Sequence, residues 1–587
     1  MRRQKRPKVK QTRRDIDSRV DLAITYLRSG DPTHAETLCR QALAQNPLDA
    51  DATDLLGVVA HQQGDFRKAL KLITTAIAIN GRIADFHNHQ AISLKLLGRR
   101  KEARAAYERA IQLDSRSLGA IFNLAILLRE QGEYHSALQL NRKAVKIDPS
   151  RPQTHNNLGV TLQEMGQFEE AAKSYKTAIK LNPDHSDAYS NLAVTLAESD
   201  RIDQSLKVCD DAQRKWPNDA DIINARTNTY IRMNKIEKAL DSIEKTFEVD
   251  PDHVQAHYVK GMALLLIGEY EAGWREYEWR TKRRNFWPQR NYDAPIWDGG
   301  PLKGKVVLVH WEQGFGDIIQ FSRFLTVLAD HIAHNAGHSG ARILFDCPDK
   351  LSGLFKGDIP AEVIGDFGDD PPPFDVYIPL MSLPGRLGIT NEKIPNDVPY
   401  LRNKLESFLK VPDPQPGTMK VGLVWVSDHS ASYRRKVFDI KMLARLFKNK
   451  SCTFYGIQFG SKGNEIKRYE KADNVVNLCR YLGDFAHTAA IVEQMDLVIS
   501  IDTYVVHLAG AMNIPAWVLL PFSPDWRWQL CRSDSRWYPS LRLFRQPEPG
   551  DWHGVINSVS AALVELVQQR NDTIEQSRRK LNAIRLS

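Results

Sequence analysis

The stretch NNLGVTLQEMGQFEEAAKSYKTAIKLNP, residues 156–183, contains the unit from which the first half of the 587-residue chain is built. Gly166 separates two segments of helical composition, and Ala171 and Ala178 lie two turns apart on the second segment. Pro183 ends that segment, because proline has no N–H and a fixed φ. The stretch therefore predicts two helices joined by a tight turn at Gly166.

The same pattern returns every 34 residues along the chain. Glycine or another turn residue recurs at Gly30, Gly64, Gly98, Gly132, Gly166, Asp200, Asn234 and Gly268. Small residues of the second helix keep the same phase at Ala35, Ala69, Ala103, Ala137, Ala171, Ser205 and Ala239, and again at Ala42, Ala76, Ala110, Ala144, Ala178 and Ala212. Period, small residues and terminal proline together resemble the tetratricopeptide repeat. Residues 18–285 are therefore predicted to form a right-handed helical solenoid with a concave inner surface.

A polar residue holds one phase on the first helix of successive units, at His89, Asn123, Asn157 and Asn191. Amide side chains both donate and accept hydrogen bonds, so they can bind an extended polypeptide without reading its sequence. This part of the chain resembles protein O-linked N-acetylglucosamine transferases, in which an asparagine ladder grips the protein acceptor. The resemblance implies that these four residues bind an acceptor. The alternative is that they bond only to neighbouring turns of the array.

Composition and charge restrict the class of protein. No apolar run approaches the ~20 residues of a membrane-spanning helix and no apolar signal core follows the basic N-terminus, so a cytoplasmic protein without stable membrane insertion is expected. The net charge of +9 is raised by a basic tail at residues 1–17, which is expected to be solvated and disordered. No basic helix with interleaved aromatics follows this tail, so nucleic acid is not expected as a partner. The six cysteines are far apart and indicate neither a zinc site nor a disulfide framework.

The sequence pattern changes after residue 285. Short apolar runs, beginning with KVVLVHWE and ending with PAWVLLP, alternate with helical stretches, as expected for parallel sheets covered on both faces. A proline-rich segment at residues 409–420 divides the runs into two sets. The predicted fold class is α + α/β, an all-α solenoid followed by two Rossmann-like lobes. The predicted lobes are residues 286–410 and 418–565, followed by a charged C-terminal helix over residues 566–587.

The first of two notable turns lies in HWEQGFGD, at the end of the first predicted strand of these lobes. Ligands of parallel sheets bind at such strand ends. Gly314 and Gly316 would allow the backbone to approach a ligand closely, and Asp317 begins a helix. The alternative role for Asp317 is to cap that helix and nothing more.

The second turn lies in SIDTYVVHLAGA and brings more groups together. A predicted strand delivers Asp502 and Thr503 to its end, a helix begins, and His507 follows one turn later on the same face as Thr503. Free N–H groups, the positive end of the helix dipole, a hydroxyl and an imidazole would converge there, which suits a diphosphate. The alternative is a buried histidine with a structural role.

Together, G-F-G-D in the first lobe and D-T-x-x-x-H-x-A-G-A in the second resemble GT-B glycosyltransferases related to the ADP-heptose heptosyltransferases, over about residues 294–565. WEQGFGDIIQF, DTYVVHLAGA and LLPFSPDWRW resemble motifs of a bacterial group in which tetratricopeptide repeats are fused to such a domain. Some fusions of this architecture glycosylate flagellin on Ser or Thr in the cytoplasm. Flagellin is therefore a candidate acceptor by analogy.

The resemblance implies roles for individual residues. Asp317 matches the acid taken as general base for the acceptor hydroxyl. Asp502, Thr503 and His507 match positions around the ribose and phosphates of the donor. The base would contribute on the order of 10²–10⁴-fold in rate.

The resemblance also places a cation against the leaving phosphate, in the region of Arg434, Arg435 and Lys436. Gln458, at the end of a predicted strand, is a further candidate residue of the cleft. The candidate donor-binding residues are Gly314, Gly316, Arg435, Lys436, Gln458, Asp502, Thr503 and His507.

The predicted function is transfer of a sugar from a nucleotide-sugar to Ser or Thr hydroxyls of a protein held by the repeats. UDP-, CMP-, ADP- and GDP-linked donors all fit the sequence. No metal and no cofactor besides the nucleotide-sugar substrate are expected, because a helix dipole and cations can replace a metal. One alternative is a heptosyltransferase-like enzyme with a glycan or lipid acceptor. The other is a catalytically inactive adaptor that carries repeats.

Overall fold

A computed structural model of the chain describes residues 18–283, 290, 292–336, 340–365, 367, 371–405, 409–427 and 439–586. Contacts divide the chain into two compact units, Met1–Thr161 and Leu162–Ser587. The division therefore falls within the repeats and not at residue 285, where the sequence pattern changes. The reason is that the later repeats pack with the α/β part of the chain.

The first unit consists of paired helices and the larger part of a ninth helix that crosses its boundary. These helices are α1 Ser18–Arg28, α2 Pro32–Gln45, α3 Ala50–Gln62, α4 Phe66–Ile79, α5 Ala84–Leu96, α6 Arg100–Leu113, α7 Leu118–Glu130, α8 Tyr134–Ile147 and α9 Pro152–Glu164. The second unit continues the series with α10 Phe168–Leu181, α11 Ser186–Glu198, α12 Ile202–Lys215, α13 Ala220–Arg232, α14 Ile236–Val249, α15 Val254–Ile267 and α16 Tyr270–Tyr277.

The repeat prediction is confirmed at its turns and at its small residues. Every turn residue of the 34-residue series adopts a positive φ, from 54° at Asn234 to 93° at Gly268. This left-handed conformation favours glycine, because other residues carry a Cβ that clashes there. The small residues of the second helices are at most 1% exposed, so they lie where neighbouring helices touch.

The first parallel sheet has the strand order β3-β2-β1-β4. Its strands are β1 Val306–His310, β2 Arg342–Asp346, β3 Glu362–Ile364 and β4 Val376–Pro379. Its helices are α17 Phe315–Phe321, α18 Phe324–Ala336, α19 Asp349–Phe355 and α20 Leu383–Arg386. Strand β1 pairs with β2 through Val307 and Ile343 and with β4 through Val307 and Val376.

The second parallel sheet has the order β10-β9-β8-β5-β6-β7, which is the strand order of a doubly wound dinucleotide-binding fold. Its strands are β5 Met419–Val424, β6 Cys452–Gly456, β7 Val475–Asn477, β8 Leu497–Ile501, β9 Ala516–Leu520 and β10 Leu541–Arg545. Its helices are α21 Phe485–Val492, α22 Tyr504–Ala511 and α23 Trp552–Leu586. In such sheets the order reverses between the first and fourth strands, here β5 and β8, and ligands bind outside that point.

Two features of this half differ from the sequence prediction. The short strands β3 and β10 were not predicted. The C-terminal helix begins at Trp552, well before residue 566, because its first turns pack on the second sheet through Val555, Ile556 and Val559. No helix in the described part of the chain is both long and apolar enough to cross a membrane.

The last repeat helix, α16, is part of the core of the α/β half. The ring of Trp274 meets that of Trp526 edge-on with 5.4 Å between centroids, and it meets Phe321 at 6.2 Å. Tyr277 lies 6.1 Å from Trp526 in the same cluster. The tryptophans of the DWRWQLCRSDSRWYP stretch therefore serve packing, including that of the last repeat against the sheets.

A buried ion pair fixes the end of the repeats to the first sheet. Arg280 donates from Nε to Glu312 Oε2 at 2.9 Å and from Nη2 to Glu312 Oε1 at 2.7 Å. Their side chains are 1% and 0% exposed. Glu312 also accepts from the Met381 N–H at 2.9 Å, so the carboxylate joins the loop after β1 to the loop after β4.

Candidate active site and acceptor cleft

The turn after β8 forms the start of α22. Strand β8 is buried throughout, and the chain leaves it at Asp502, which is 6% exposed. Thr503 is the N-cap of α22: its Oγ1 accepts from the Val505 N–H at 3.3 Å and lies 3.1 Å from Ser500 Oγ. This turn stands beside the reversal of strand order, where ligands of doubly wound sheets bind.

His507 lies one turn into α22 and is only 4% exposed. Its Nδ1 is 3.1 Å from the Tyr538 hydroxyl, and its Nε2 is 3.7 Å from Asp502 Oδ1. The imidazole stacks on Trp528 with 5.5 Å between ring centroids and 25° between planes. A Cβ at Gly510 would stand 2.4 Å from Tyr538, so the glycine lets this ring lie close to α22 and reach His507.

The two turns found in the sequence meet in the structure. A Cβ added to Gly316, on α17 of the first lobe, would lie 2.8 Å from His507 Cδ2. Real Cβ atoms do not approach another atom so closely, so glycine is needed here for contact between α17 and α22. In the structure, glycine at position 316 allows the two helices to touch, whereas the sequence predicted that it allows the backbone to approach a ligand.

Asp317 uses both carboxylate oxygens. Oδ2 accepts from the Gly314 N–H at 2.8 Å; the N-cap of α17 is therefore Gly314, and Asp317 supports it from the third helical position instead of being the N-cap itself. Oδ1 accepts a hydrogen bond from Arg527. The side chain of Asp317 is 16% exposed, so the carboxylate stands at a partly open edge of the cluster.

Arg527 is the residue of this cluster that the sequence reasoning missed. Besides Asp317, it donates from Nε to Gln320 Oε1 at 2.6 Å and from Nη1 to Asp525 Oδ1 at 2.7 Å. Its side chain is 7% exposed. Burial alone lowers the pKa of a guanidinium, but the charges of Asp317 and Asp525 hold the pKa of Arg527 well above its ordinary value. The available signal was the arginine in LLPFSPDWRW, one of the motifs that carry the resemblance.

Gln458 supports the backbone at the end of β5. Its Oε1 accepts from the N–H groups of Trp425 and Val426 at 3.1 Å and 2.9 Å, and its Nε2 donates to the Phe459 carbonyl at 3.0 Å. The side chain is 3% exposed. These contacts are those of a positioning residue for the loop that follows β5. The predicted cations Arg434, Arg435 and Lys436 lie outside the described residues.

A cleft of about 630 Å³ lies within the second unit, between the inner helices of the repeats and a loop of the second lobe. Its repeat side carries polar side chains among apolar ones such as Val194, Met262 and Leu266; the uncharged polar residues include Gln163, Ser190, Asn191, Asn224, Asn228 and Gln255. Its other side is formed by Pro521, Ser523, Pro524, Asp525 and Trp526. Asn191 therefore faces the cleft, as an acceptor-binding residue would, and Asn224 and Asn228 join it from the next repeat.

The other three members of the predicted polar column belong to the first unit. His89 Nδ1 lies 2.8 Å from Asp54 Oδ2, and Asn123 Nδ2 donates to Asn88 Oδ1 at 3.0 Å. Both contacts join one repeat to the preceding one, which is the alternative role considered from the sequence. Asn157, on α9, is half-buried.

Within the described ranges, no group of three or more His, Cys, Asp or Glu side chains is arranged to hold a metal ion.

Comparison with known proteins identifies the repeats. Models of the tetratricopeptide repeat match residues 20–82, 84–117, 152–185, 174–207 and 225–277, and a TPR repeat model matches residues 127–166. The chain is similar to Protein FlbA of Caulobacter vibrioides, with 24% identity over 369 residues, 56% of this chain and 59% of that protein. The chain thus spans 59% of the length of the curated relative that it matches. Residues 18–282 are less than half of the chain, so this similarity extends beyond the repeats.

Solved structures resemble parts of the chain. A tetratricopeptide repeat protein from Parabacteroides merdae has 15% identity and a TM-score of 0.35, covering 42% of this chain and 97% of that one. The Cut9–Hcn1 hetero-tetramer of the APC/C has 15% identity and a TM-score of 0.37, covering 43% and 49%. YrrB, described as a TPR protein with an unusual peptide-binding site, has 25% identity and a TM-score of 0.26, covering 32% and 97%. From the family matches and the coordinates, the first part of the chain is an array of tetratricopeptide repeats, which leads into two parallel α/β sheets.

Proposed function

We propose that the chain is a glycosyltransferase of the GT-B type that moves a sugar from a nucleotide-sugar to a Ser or Thr hydroxyl of a protein acceptor. One observation carries the proposal: the wall of the polar cleft runs directly into the contact between the lobes. Asp525 and Trp526 line the cleft, and the next residue, Arg527, pairs with Asp317. A polypeptide in the cleft would therefore lie beside the proposed catalytic carboxylate.

The chemistry of transfer suits these groups. Asp317 would accept the proton of the attacking hydroxyl, which requires that its bond to Arg527 be given up. Negative charge grows on the leaving nucleotide phosphate, and preorganised donors aimed at that charge are the main catalytic contribution, often a few kcal/mol each. The start of α22, with Thr503 and His507, would supply such donors for the donor substrate.

Polar side chains of the repeats would hold the acceptor. Asn191, Asn224 and Asn228 carry amides, which can bond to the N–H and C=O groups of an extended chain. This form of recognition fits acceptors of varied sequence. Flagellin is the first acceptor to test, on the strength of the resemblance in domain architecture.

Transfer itself is the direct test. The purified chain is incubated with labelled UDP-, ADP-, GDP- or CMP-sugars and with flagellin or other candidate proteins, and label in protein is measured. Asp317→Asn should reduce transfer by at least about 10²-fold, since a general base contributes 10²–10⁴-fold. Asp330→Asn, an exposed position on α18 of the same lobe, is the matched control. Equal transfer by wild type and Asp317→Asn would reject the assigned base.

The acceptor cleft is tested separately. Asn191→Ala combined with Asn228→Ala should raise the KM for the protein acceptor and leave the KM for the donor unchanged. Asn571→Ala, exposed on α23, is the control. Transfer to a glycan or lipid that is insensitive to the cleft variants would favour the heptosyltransferase-like alternative.

A second candidate function is a non-catalytic adaptor, and one observation favours it. His507 is 4% exposed and packed by Trp528, Tyr538 and Gly316, as a structural histidine would be. In that case the cleft binds a partner protein and no sugar is transferred. Nucleotide binding without turnover across the donor panel, with retained protein binding in the cleft, would favour the adaptor.

A further inference from the structure

Arg527 is shared between two carboxylates that belong to different parts of the second unit. Asp317 stands at the start of α17 in the first lobe, and Asp525 stands in the wall of the cleft. The guanidinium is 7% exposed, and the plane of the neighbouring Trp526 lies under it, 4.6 Å from the centroid. A buried cation at this place is poised for an anion that enters along the edge of Asp317.

Two further buried N–H donors, one on α17 and one on the residue after Arg527, have no hydrogen-bond partner among the described residues. They are Nε2 of Gln320 and Nε1 of Trp528. Gln320 is 0% exposed and bonds to Arg527 through its other amide atom, while Trp528 is 1% exposed and directly follows Arg527 in the chain. A buried donor without an acceptor costs about 1–3 kcal/mol, so a ligand oxygen that accepts from it would gain stability.

We infer that Arg527, with the N–H groups of Gln320 and Trp528, binds the diphosphate of the donor. This inference rests on the proposed function and adds to it the cation for the leaving group, which the sequence had placed at residues 434–436. A guanidinium fork matches phosphate oxygens with two parallel bonds, which an ammonium group cannot do. All three donors come from two short segments, α17 and residues 526–528, which meet where the lobes touch.

The same arginine links donor binding to the catalytic carboxylate. Before a diphosphate arrives, Asp317 and Asp525 occupy the guanidinium. When phosphate oxygens take over these bonds, Oδ1 of Asp317 loses its cation and becomes available to accept a proton from the acceptor hydroxyl. The base is therefore free only when donor is bound.

Because phosphate competes with the two carboxylates for the Arg527 guanidinium, the inference can be tested on the full chain without a sugar. Inorganic pyrophosphate is titrated against the protein by calorimetry and by thermal unfolding, with sodium chloride of equal ionic strength as the salt control. Pyrophosphate should bind and raise the Tm, and Arg527→Gln should abolish both effects. Arg527→Lys, which keeps the charge and loses the fork, should weaken binding about tenfold. Arg542→Gln, an exposed arginine on β10, should bind like the wild type.

The decisive variant is Asp525→Asn, which keeps the shape of the side chain and removes a competing charge. This variant should bind pyrophosphate about tenfold more tightly than the wild type, because phosphate then has to displace only one carboxylate, that of Asp317, from the guanidinium. A purely structural Arg527 predicts no gain in affinity. Asp525→Asn and Arg527→Lys remain informative if Arg527→Gln does not fold.

The inference is overturned if pyrophosphate does not bind the wild type, if Arg527→Lys binds as tightly as the wild type, or if Asp525→Asn gains nothing. None of these outcomes affects the proposed function, because sugar transfer is measured in a separate assay. Conversely, absent transfer with the predicted pyrophosphate responses would leave the phosphate site in place and reject only the transferase. Comparing UDP, ADP and GDP with pyrophosphate then shows whether a nucleotide adds affinity to the shared diphosphate.

Discussion

His310 occupies the carboxyl end of β1 and is 2% exposed. Burial lowers its pKa from 6.5 to about 4, and the charges of Arg290 and Arg280 act in the same direction, against a hydrogen bond to the Trp311 carbonyl. The folded protein therefore leaves this imidazole neutral at pH values where the unfolded chain protonates it. The consequence is a specific pH window of stability.

The free energy of unfolding should fall as pH drops from about 6.5 to about 4, because the unfolded state binds one more proton there. The slope attributable to His310 is at most about 1.4 kcal/mol per pH unit. Urea unfolding of wild type and His310→Asn between pH 4 and 7.5 measures it. Parallel curves for the two proteins would contradict the lowered pKa.

Gly316 and Gly510 allow the contacts of His507. An added Cβ would meet His507 at 2.8 Å in the first case and Tyr538 at 2.4 Å in the second. Gly316→Ala and Gly510→Ala should each destabilise the second unit by about 1–3 kcal/mol through overpacking. Gly353→Ala on α19 is the control, since no atom lies within 4 Å of its added Cβ. The loss is measured as a shift in the midpoint of denaturant unfolding. Equal midpoints for Gly316→Ala and Gly353→Ala would contradict the close contact at Gly316.

The repeat turns favour glycine, whereas the repeat helices are destabilised by it. Gly132 has a φ of 76°, whereas Gly119 lies within α7 and an added Cβ there would make only an ordinary 3.6 Å contact with Asn88. Gly132→Ala should cost about 1 kcal/mol, because alanine is strained at positive φ. Gly119→Ala should stabilise by up to about 1 kcal/mol, through helix propensity. Thermal unfolding of the two variants should show Tm shifts of opposite sign, and shifts of the same sign would contradict this account.

The repeats and most strands could be predicted from the sequence because their signals are local. Positive φ at a fixed spacing selects glycine, and interior strands such as β8 are continuous apolar runs. The missed strands lack this signal: β3 has three residues and is partly exposed, and β10 carries Arg542 and Arg545. Both lie at sheet edges, where one side needs no apolar partner.

The candidate site likewise has a part that the sequence could predict and a part that it could not. Asp502, Thr503 and His507 share one turn, so the spacing of their side chains follows from the start of a helix. Arg527 and Asp317 are 210 residues apart, and nothing local in either stretch indicates that they pair. The burial of His507 likewise depends on Trp528 and Tyr538, which reach it through tertiary packing.

The division at residue 161 decides which part of the repeats can be removed without unfolding the rest. Deleting residues 1–150 leaves α9 intact and should leave the second unit folded, with its Tm changed by only a few degrees. Deleting residues 1–285 removes Trp274, Tyr277 and Arg280 from the core. Loss of each large aromatic alone costs about 3–5 kcal/mol, so this variant should lose cooperative unfolding. Near-ultraviolet circular dichroism and calorimetry distinguish the two, and a cooperative transition after the longer deletion would contradict the shared core.

Because Trp274 and Arg280 anchor α16 among the sheets, the final repeats behave as a built-in component of the α/β half. The helices before Thr161 form a compact unit of their own. A chimera that replaces only the helices upstream of α9 should accordingly leave the cleft and the two sheets of the second unit unchanged.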